Sequence, residues 1–313
     1  MKISTDVTRL LGIDLPIVQA GMSWASSAPA LPLAVSRAGG LGVLAAGPMR
    51  PDALSEALDV LAGQRFAVNL PLYRKGAEDT MDLLLERRVP VLIASQGGPK
   101  RYLARFREAG TICLHVVASP GHARKAADAG VDGLVVVGAE AGGHPPPDQV
   151  STLVMLRAVS CAVPGVPLIA SGGFADGAGL AAALSLGAGA AQFGTRFLAT
   201  HEGNVHPAYK QAVLDASVSD ARPVGRDLGV IRALPNAFTA EMEKLERDGV
   251  AEEVRRERFA ESTLKMAAHE GDVANGKVEA GQSAGLIDSL EPAGDLVRRI
   301  AEEYLAVVAG LPR

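Results

Sequence analysis

The chain has 313 residues, 48% hydrophobic and 21% charged, with 31 Lys and Arg against 35 Asp and Glu and a formal net charge of −4. That size and balance suit one large globular core and exclude a disordered chain, and the lack of any basic block argues against a nucleic-acid partner. Cys113 and Cys161, both in or near apolar stretches and read as buried thiols, give neither a disulfide framework nor a zinc spacing, so no metal is expected.

The first residues, Met1-Lys2-Ile3-Ser4-Thr5-Asp6, lack the apolar centre of a signal peptide. Short runs rich in Val, Ile, Leu and Ala then begin near Pro16, Leu41, Phe66, Pro90, Thr111, Gly133, Pro167 and Ala190. Most are apolar throughout, as strands buried on both faces of a parallel sheet would be. Helix-like segments lie between them. Leu54, Leu58 and Leu61, for example, share one face. Gly40, Gly63, Gly110, Gly130 and Gly187 each close such a segment before the next strand. The unit recurs every 21 to 25 residues, except between Gly133 and Pro167. Eight βα units in this span predict an α/β chain folded as a (β/α)8 TIM barrel, and the long gap marks a loop after strand six.

The small-apolar stretch 178–191 is broken by Gly179, Gly187 and Gly189, too short and interrupted to span a bilayer, so a soluble cytoplasmic protein with no membrane partner is expected. After Thr200 the rhythm stops. Residues 204–278 turn charged and read as a small helical subdomain inserted after strand eight, either a cap over the barrel mouth or plain solvated helices. The barrel then comprises residues 1–203 and 279–313, closing with a terminal helix on which Leu296, Ile300 and Tyr304 recur at spacing four.

Two apparent motifs fail on context. Gly281-Gln282-Ser283-Ala284-Gly285 has the spacing of a serine-nucleophile elbow, but no strand precedes it and no histidine follows it. His201 and His206 are five apart, where a helical metal site needs four.

Three glycine-rich segments remain, each at the carboxyl end of a predicted strand: Glu140-Ala141-Gly142-Gly143-His144, Ser171-Gly172-Gly173-Phe174 and Gln192-Phe193-Gly194-Thr195-Arg196. A phosphate needs backbone N–H groups at close approach, which a β-carbon blocks. The loops after strands seven and eight are where barrels bind phosphate, and a helix following Gly173 would favour the anion through its dipole. A phosphate-bearing ligand follows from the spacing; its identity does not.

These segments, together with Gln19-Ala20-Gly21-Met22, Ala38-Gly39-Gly40-Leu41-Gly42, Val68-Asn69-Leu70 and Ala280-Gly281-Gln282-Ser283-Ala284-Gly285, resemble the nitronate monooxygenase family, formerly called 2-nitropropane dioxygenases, over residues from about 10 to the C-terminus. Flavin-dependent enoyl-acyl-carrier-protein reductases share the motifs. The resemblance implies FMN in the barrel mouth. Gly173, Gln192, Gly194 and Thr195 would hold its phosphate side, Ala20, Gly21, Met22 and Asn69 would lie along the ring and ribityl chain, Gly142 would sit near the ring, and Ser171, Gly172 and Phe193 would also contribute to the cofactor site. It makes His144 the catalytic residue, a proton handler suited to neutral pH.

The implied reaction is oxidation of an alkyl nitronate to a carbonyl compound and nitrite with O2, the small molecules being the expected partners and a homodimer being left open. The alternatives are NAD(P)H-dependent enoyl reduction on the same scaffold, a non-flavin phosphate-binding lyase or isomerase, and a ligand-binding barrel without turnover. Trp24, just past strand one, could wall the substrate pocket or simply pack; Tyr209 and Lys210 also match the family, without an assigned role. Three features depart from the pattern: Val116 where some members carry a lysine, Val137 where a glutamine is frequent, and Pro145-Pro146-Pro147 after the histidine.

Overall fold

The computed structural model describes residues 1–312. Eight strands follow one another in the expected places: β1 (Ile17–Gln19), β2 (Gly42–Ala45), β3 (Phe66–Pro71), β4 (Val91–Ser95), β5 (Ile112–Val117), β6 (Gly133–Val137), β7 (Leu168–Ser171) and β8 (Ala190–Phe193). All pair in parallel, in the order β1-β8-β7-β6-β5-β4-β3-β2. The last seam, β1 to β2, closes through a bridge between Val18 and Leu41. A side chain completes it: the Gln19 amide, fully buried, accepts from Val43 N–H at 2.9 Å and donates to Val43 O at 3.1 Å. The fold is a (β/α)8 barrel.

Helices α1 (Asp6–Leu11), α2 (Ala30–Arg37), α3 (Pro51–Leu61), α4 (Ala77–Glu86), α5 (Leu103–Glu108), α6 (Pro120–Ala129), α7 (Thr152–Ala162) and α8 (Gly177–Ser185) precede or separate the strands, and the one-turn α9 (Thr195–Leu198) follows β8. Alternation sorts the strand residues. Val43, Ala67, Leu114, Val135, Ile169 and Ala190 point into the barrel, where Val7 and Leu11 of α1 plug the lower end. Leu44, Leu92, Val136, Ala170 and Phe193, on the opposite parity, pack under the helices. One pleat above the inner layer, Asn69, Val116, Val137, Ser171 and Gln192 therefore face inward at the mouth.

The segment between α9 and the terminal helix contains α10 (Pro207–Leu214), an antiparallel ribbon of β9 (Arg222–Val224) and β10 (Ile231–Ala233), α11 (Ala237–Arg247), α12 (Glu252–Glu261) and α13 (Leu264–Ala268). The ribbon was absent from the helical expectation because three-residue strands are too short to show alternation. Helix α14 (Ala293–Gly310) packs against α2 and α8 and buries Leu296 and Ile300 as their spacing predicts. Two local readings change. Gly39, not Gly40, takes the left-handed turn before β2. Cys161 is exposed, on the outward face of α7, while Cys113 is buried. No described helix is long and apolar enough to cross a membrane, and no cluster of potential metal ligands occurs among the described residues.

Candidate active site

The mouth of the barrel opens into a cavity of about 580 Å³. Of the residues singled out from the sequence, Ala20, Gly21, Met22, Asn69, Gly142, His144, Ser171, Gly172, Gly173, Gln192, Gly194 and Thr195 all line it. Phe193 does not. It follows Gln192 on a strand, so its side chain points the opposite way and is buried against Phe174 and Phe197.

The turns after β7 and β8 make one pole of the cavity. Gly172 and Gly173 sit at φ 110° and 85°, open to glycine at little cost. No backbone carbonyl among the described residues accepts from the N–H of Gly172, Gly173 or Gly194. A β-carbon built on Gly194 would abut Ala20 and Met22 at 3.7 Å, within the cavity wall. The Thr195 hydroxyl accepts from Gly281 N–H at 2.9 Å, so its own proton stays available. Gln192 is oriented by donating to Ser171 Oγ at 2.9 Å. Asn69 donates to Ile93 O at 3.1 Å, leaving its carbonyl oxygen for a ligand. The expected helix-dipole contribution is corrected: Asp176 Oδ1 caps Gly179 N–H and Glu303 Oε2 takes Gly177 N–H, so carboxylates already occupy the start of α8. The free N–H groups at this pole are those of the turns themselves.

The other pole is the loop after β6. Glu140, which the motif contains but which had no assigned role, organises it: its carboxylate accepts from Thr152 N–H at 2.8 Å and Thr152 Oγ1 at 2.7 Å, tying the loop to the start of α7. The next residues are gripped from the insertion. Arg232 of β10 exchanges backbone hydrogen bonds with Gly143, donating at 2.7 Å and accepting at 3.3 Å. Its buried guanidinium is engaged by Ala139 O, Ala221 O and Gln149 Oε1. Nothing in the sequence marks this arginine, which stands alone in the run Ile231-Arg232-Ala233-Leu234. His144 follows, lining the cavity at its exposed mouth. Partial desolvation by the surrounding protein, with a smaller contribution from the Lys277 ammonium, lowers its pKa from 6.5, so the neutral imidazole predominates at neutral pH.

Glu279 lies on the cavity wall beside this loop and was also missed. Burial raises its carboxyl pKa from 4.5 to about 7, against the opposing pull of Lys277. Tyr209 is buried at the same wall and donates to Glu279 O at 2.7 Å, while Lys210 donates to Thr200 O at 2.6 Å; both brace the insertion. Trp24, at φ 69°, is held in the left-handed region, lines the cavity and meets the His269 ring edge-on at 5.3 Å. Thr263 and Leu264 also reach the cavity, so the insertion borders the mouth.

The model of the family described as nitronate monooxygenase matches residues 4–80 and 64–303. The chain belongs to that family, whose members are flavin oxidoreductases. It is 34% identical to a Mycobacterium tuberculosis protein named (3aS,4S,5R,7aS)-5-hydroxy-7a-methyl-1-oxo-octahydro-1H-indene-4-carboxyl-CoA dehydrogenase, covering 96% of each chain. It is 31% identical to a nitronate monooxygenase of Paraburkholderia phytofirmans, covering 94% of this chain and 93% of the other. Among solved structures, FabK from Thermotoga maritima superposes with a TM-score of 0.92 at 39% identity over 98% of each chain. Against that family background the departures at Val116 and Val137 gain a location: both face the cavity and give its floor an apolar patch beside His144.

Proposed function

We propose that the chain is an FMN-dependent oxidoreductase of the nitronate monooxygenase kind, oxidising an alkyl nitronate to a carbonyl compound and nitrite with O2 as co-substrate. The observation that carries this reading is the convergence of the two glycine turns, Asn69, Gln192 and His144 on one cavity. The uncommitted N–H groups of Gly172, Gly173 and Gly194 and the Thr195 hydroxyl suit the phosphate of FMN, and a side chain at Gly194 would fill the cradle. Bound FMN would supply the electron chemistry.

The chain's own residues bind, orient and move the proton. Asn69 and Gln192 present fixed polar groups to the ligand. His144, neutral at physiological pH, removes the α-proton of a neutral nitroalkane or hydrogen-bonds a nitronate already formed. Because its pKa is lowered, turnover of the neutral substrate rises as pH climbs through a value below 6.5. The test is a visible spectrum of the purified protein, followed by oxygen uptake and nitrite release with ethylnitronate. A colourless protein that releases no FMN on heating would overturn the reading.

One observation favours a second reading, oxidoreduction of an acyl thioester. A second cavity of about 580 Å³ adjoins the first and shares His144, Val116 and Val137 with it. It is lined by Pro145-Pro146-Pro147 and by Lys125 and Arg226, cations suited to an anionic tail that a simple nitronate lacks. The Mycobacterium tuberculosis relative is named for a coenzyme A substrate. Anaerobic bleaching of the flavin by NADH, reversed by an enoyl thioester, with no nitrite from nitronates, would establish this reading in place of the first.

A further inference from the structure

We propose that Glu279 is a second proton-bearing group of the site, a neutral carboxylic acid that donates a hydrogen bond to a substrate oxygen next to the reacting carbon and that, once ionised, shuts out anionic ligands. This deepens the function proposed above and rests on the cavity being its active site.

The side chain is held in place and left without a partner. Its backbone is pinned on both sides: Leu234 N–H donates to Val278 O at 2.9 Å, the Tyr209 hydroxyl to Glu279 O at 2.7 Å, and Gly281 N–H to Thr195 Oγ1 at 2.9 Å. The carboxylate lies over the residue before His144, where a β-carbon on Gly143 would come within 3.1 Å of Glu279 Oε2. Glu279 and His144 thus flank one glycine and face one cavity.

The charged groups around it are engaged elsewhere or, at Arg74, lie out in solvent across the mouth. Lys277, two residues away, has its ammonium 3.6 Å from the Phe259 ring centroid. Arg232 is engaged by the three acceptors described above. Lys265 pairs with Glu270 at 3.0 Å, and Glu140 is held by Thr152. His144 is neutral. A half-buried carboxyl facing a protein-walled cavity with no cation in contact keeps its proton up to unusually high pH, here about 7. Below that pH the acid can donate to a carbonyl, nitro or nitronate oxygen and stabilise negative charge there. Above it, a carboxylate faces the same oxygen and repels it. Uncharged substrates should feel this change much less.

The test uses FMN-loaded protein and two inert probes of equal shape: propionate, a planar anion isosteric with ethylnitronate, and neutral propionamide. Their affinities are read from perturbation of the flavin spectrum between pH 6 and pH 8. In the wild type, propionate affinity should fall about tenfold across that range as the competent, protonated fraction declines. Propionamide affinity should change less than about twofold. Glu279→Gln, which keeps a neutral donor, should hold the low-pH propionate affinity throughout. A flat wild-type profile, or the same fall in Glu279→Gln, would overturn the proposal; the latter would assign the titration to another group.

An infrared titration of wild type against Glu279→Gln needs no cofactor. A protonated-carboxyl band present at pH 6 and gone above pH 8 in the wild type alone is expected, and its absence at pH 6 would also overturn the proposal. Failure to bind FMN would sink the flavin reading, while the infrared measurement would still decide the state of Glu279.

Discussion

The cavity has two poles built on opposite principles. At the turns after β7 and β8 the working groups are backbone N–H donors, fixed by glycine geometry and indifferent to pH. At the β6 loop and the returning strand the working groups are side chains, His144 and Glu279, whose charge is set by what surrounds them. In the function proposed here the first pole binds by shape. The second works by holding two groups neutral that would titrate differently in water, His144 by losing its proton more readily and Glu279 by keeping it. Position alone is therefore enough to design the first, whereas the second depends on burial that only the complete fold provides.

The largest expected effect lies at the binding pole. Gly194→Leu should fold, because its β-carbon meets only ordinary contacts at 3.7 Å, but it should purify without flavin. A spectrum and a melting curve check both halves. A flavin-loaded variant would place the phosphate elsewhere and break the contrast between the poles. Next, His144→Asn should retain flavin and lose about 100-fold or more in turnover of a neutral nitroalkane, by steady-state oxygen uptake. Equal activity would remove the proton-handling role.

A smaller effect concerns stability. The folded-state pKa of Glu279 is raised above its ordinary value, so the native chain binds the proton more tightly than the unfolded one. Stability is then greatest at low pH and falls as pH rises from 4.5 through about 7. Glu279→Gln removes that loss, so from pH 5 to pH 9 its stability should gain on the wild type by up to about 3 kcal/mol in urea titrations. The smallest effect belongs to Lys277→Met. The ammonium lowers both pKa values, so its removal should raise both, and the acid limb of the His144-dependent profile should move upward and cost a few-fold in rate near pH 6.

The binding pole and the barrel were legible in the sequence because their signals are local. Each strand is a short apolar run, each turn carries its glycines, and the repeat length counts the units. Alternation even assigns Asn69 and Gln192 to the interior once the register of one strand is known. The proton pole was half legible. His144 stands in a glycine motif, but Glu279 is one acid in a charged stretch, and its altered pKa exists only because the fold brings it to the cavity wall against the Gly143 loop. Arg232 and the Gln19 amide were hidden for a related reason, since each acts on a segment far away in sequence: Arg232 on the β6 loop, Gln19 on the seam to β2. Phe193 was misassigned because a motif records neighbours in sequence, and adjacent strand residues face opposite ways.

Consecutive residues of β10 bridge to both halves of the proton pole, Arg232 to Gly143 and Ala233 to Glu279. One peptide unit thereby sets the gap between imidazole and carboxyl, and that unit belongs to the insertion, outside the barrel. A lineage could retune the reach or acidity of its chemistry by altering a surface ribbon while every barrel strand stayed as it is. Grafting the barrel alone onto another cap would carry the proposed flavin cradle across but leave His144 and Glu279 without their common gauge.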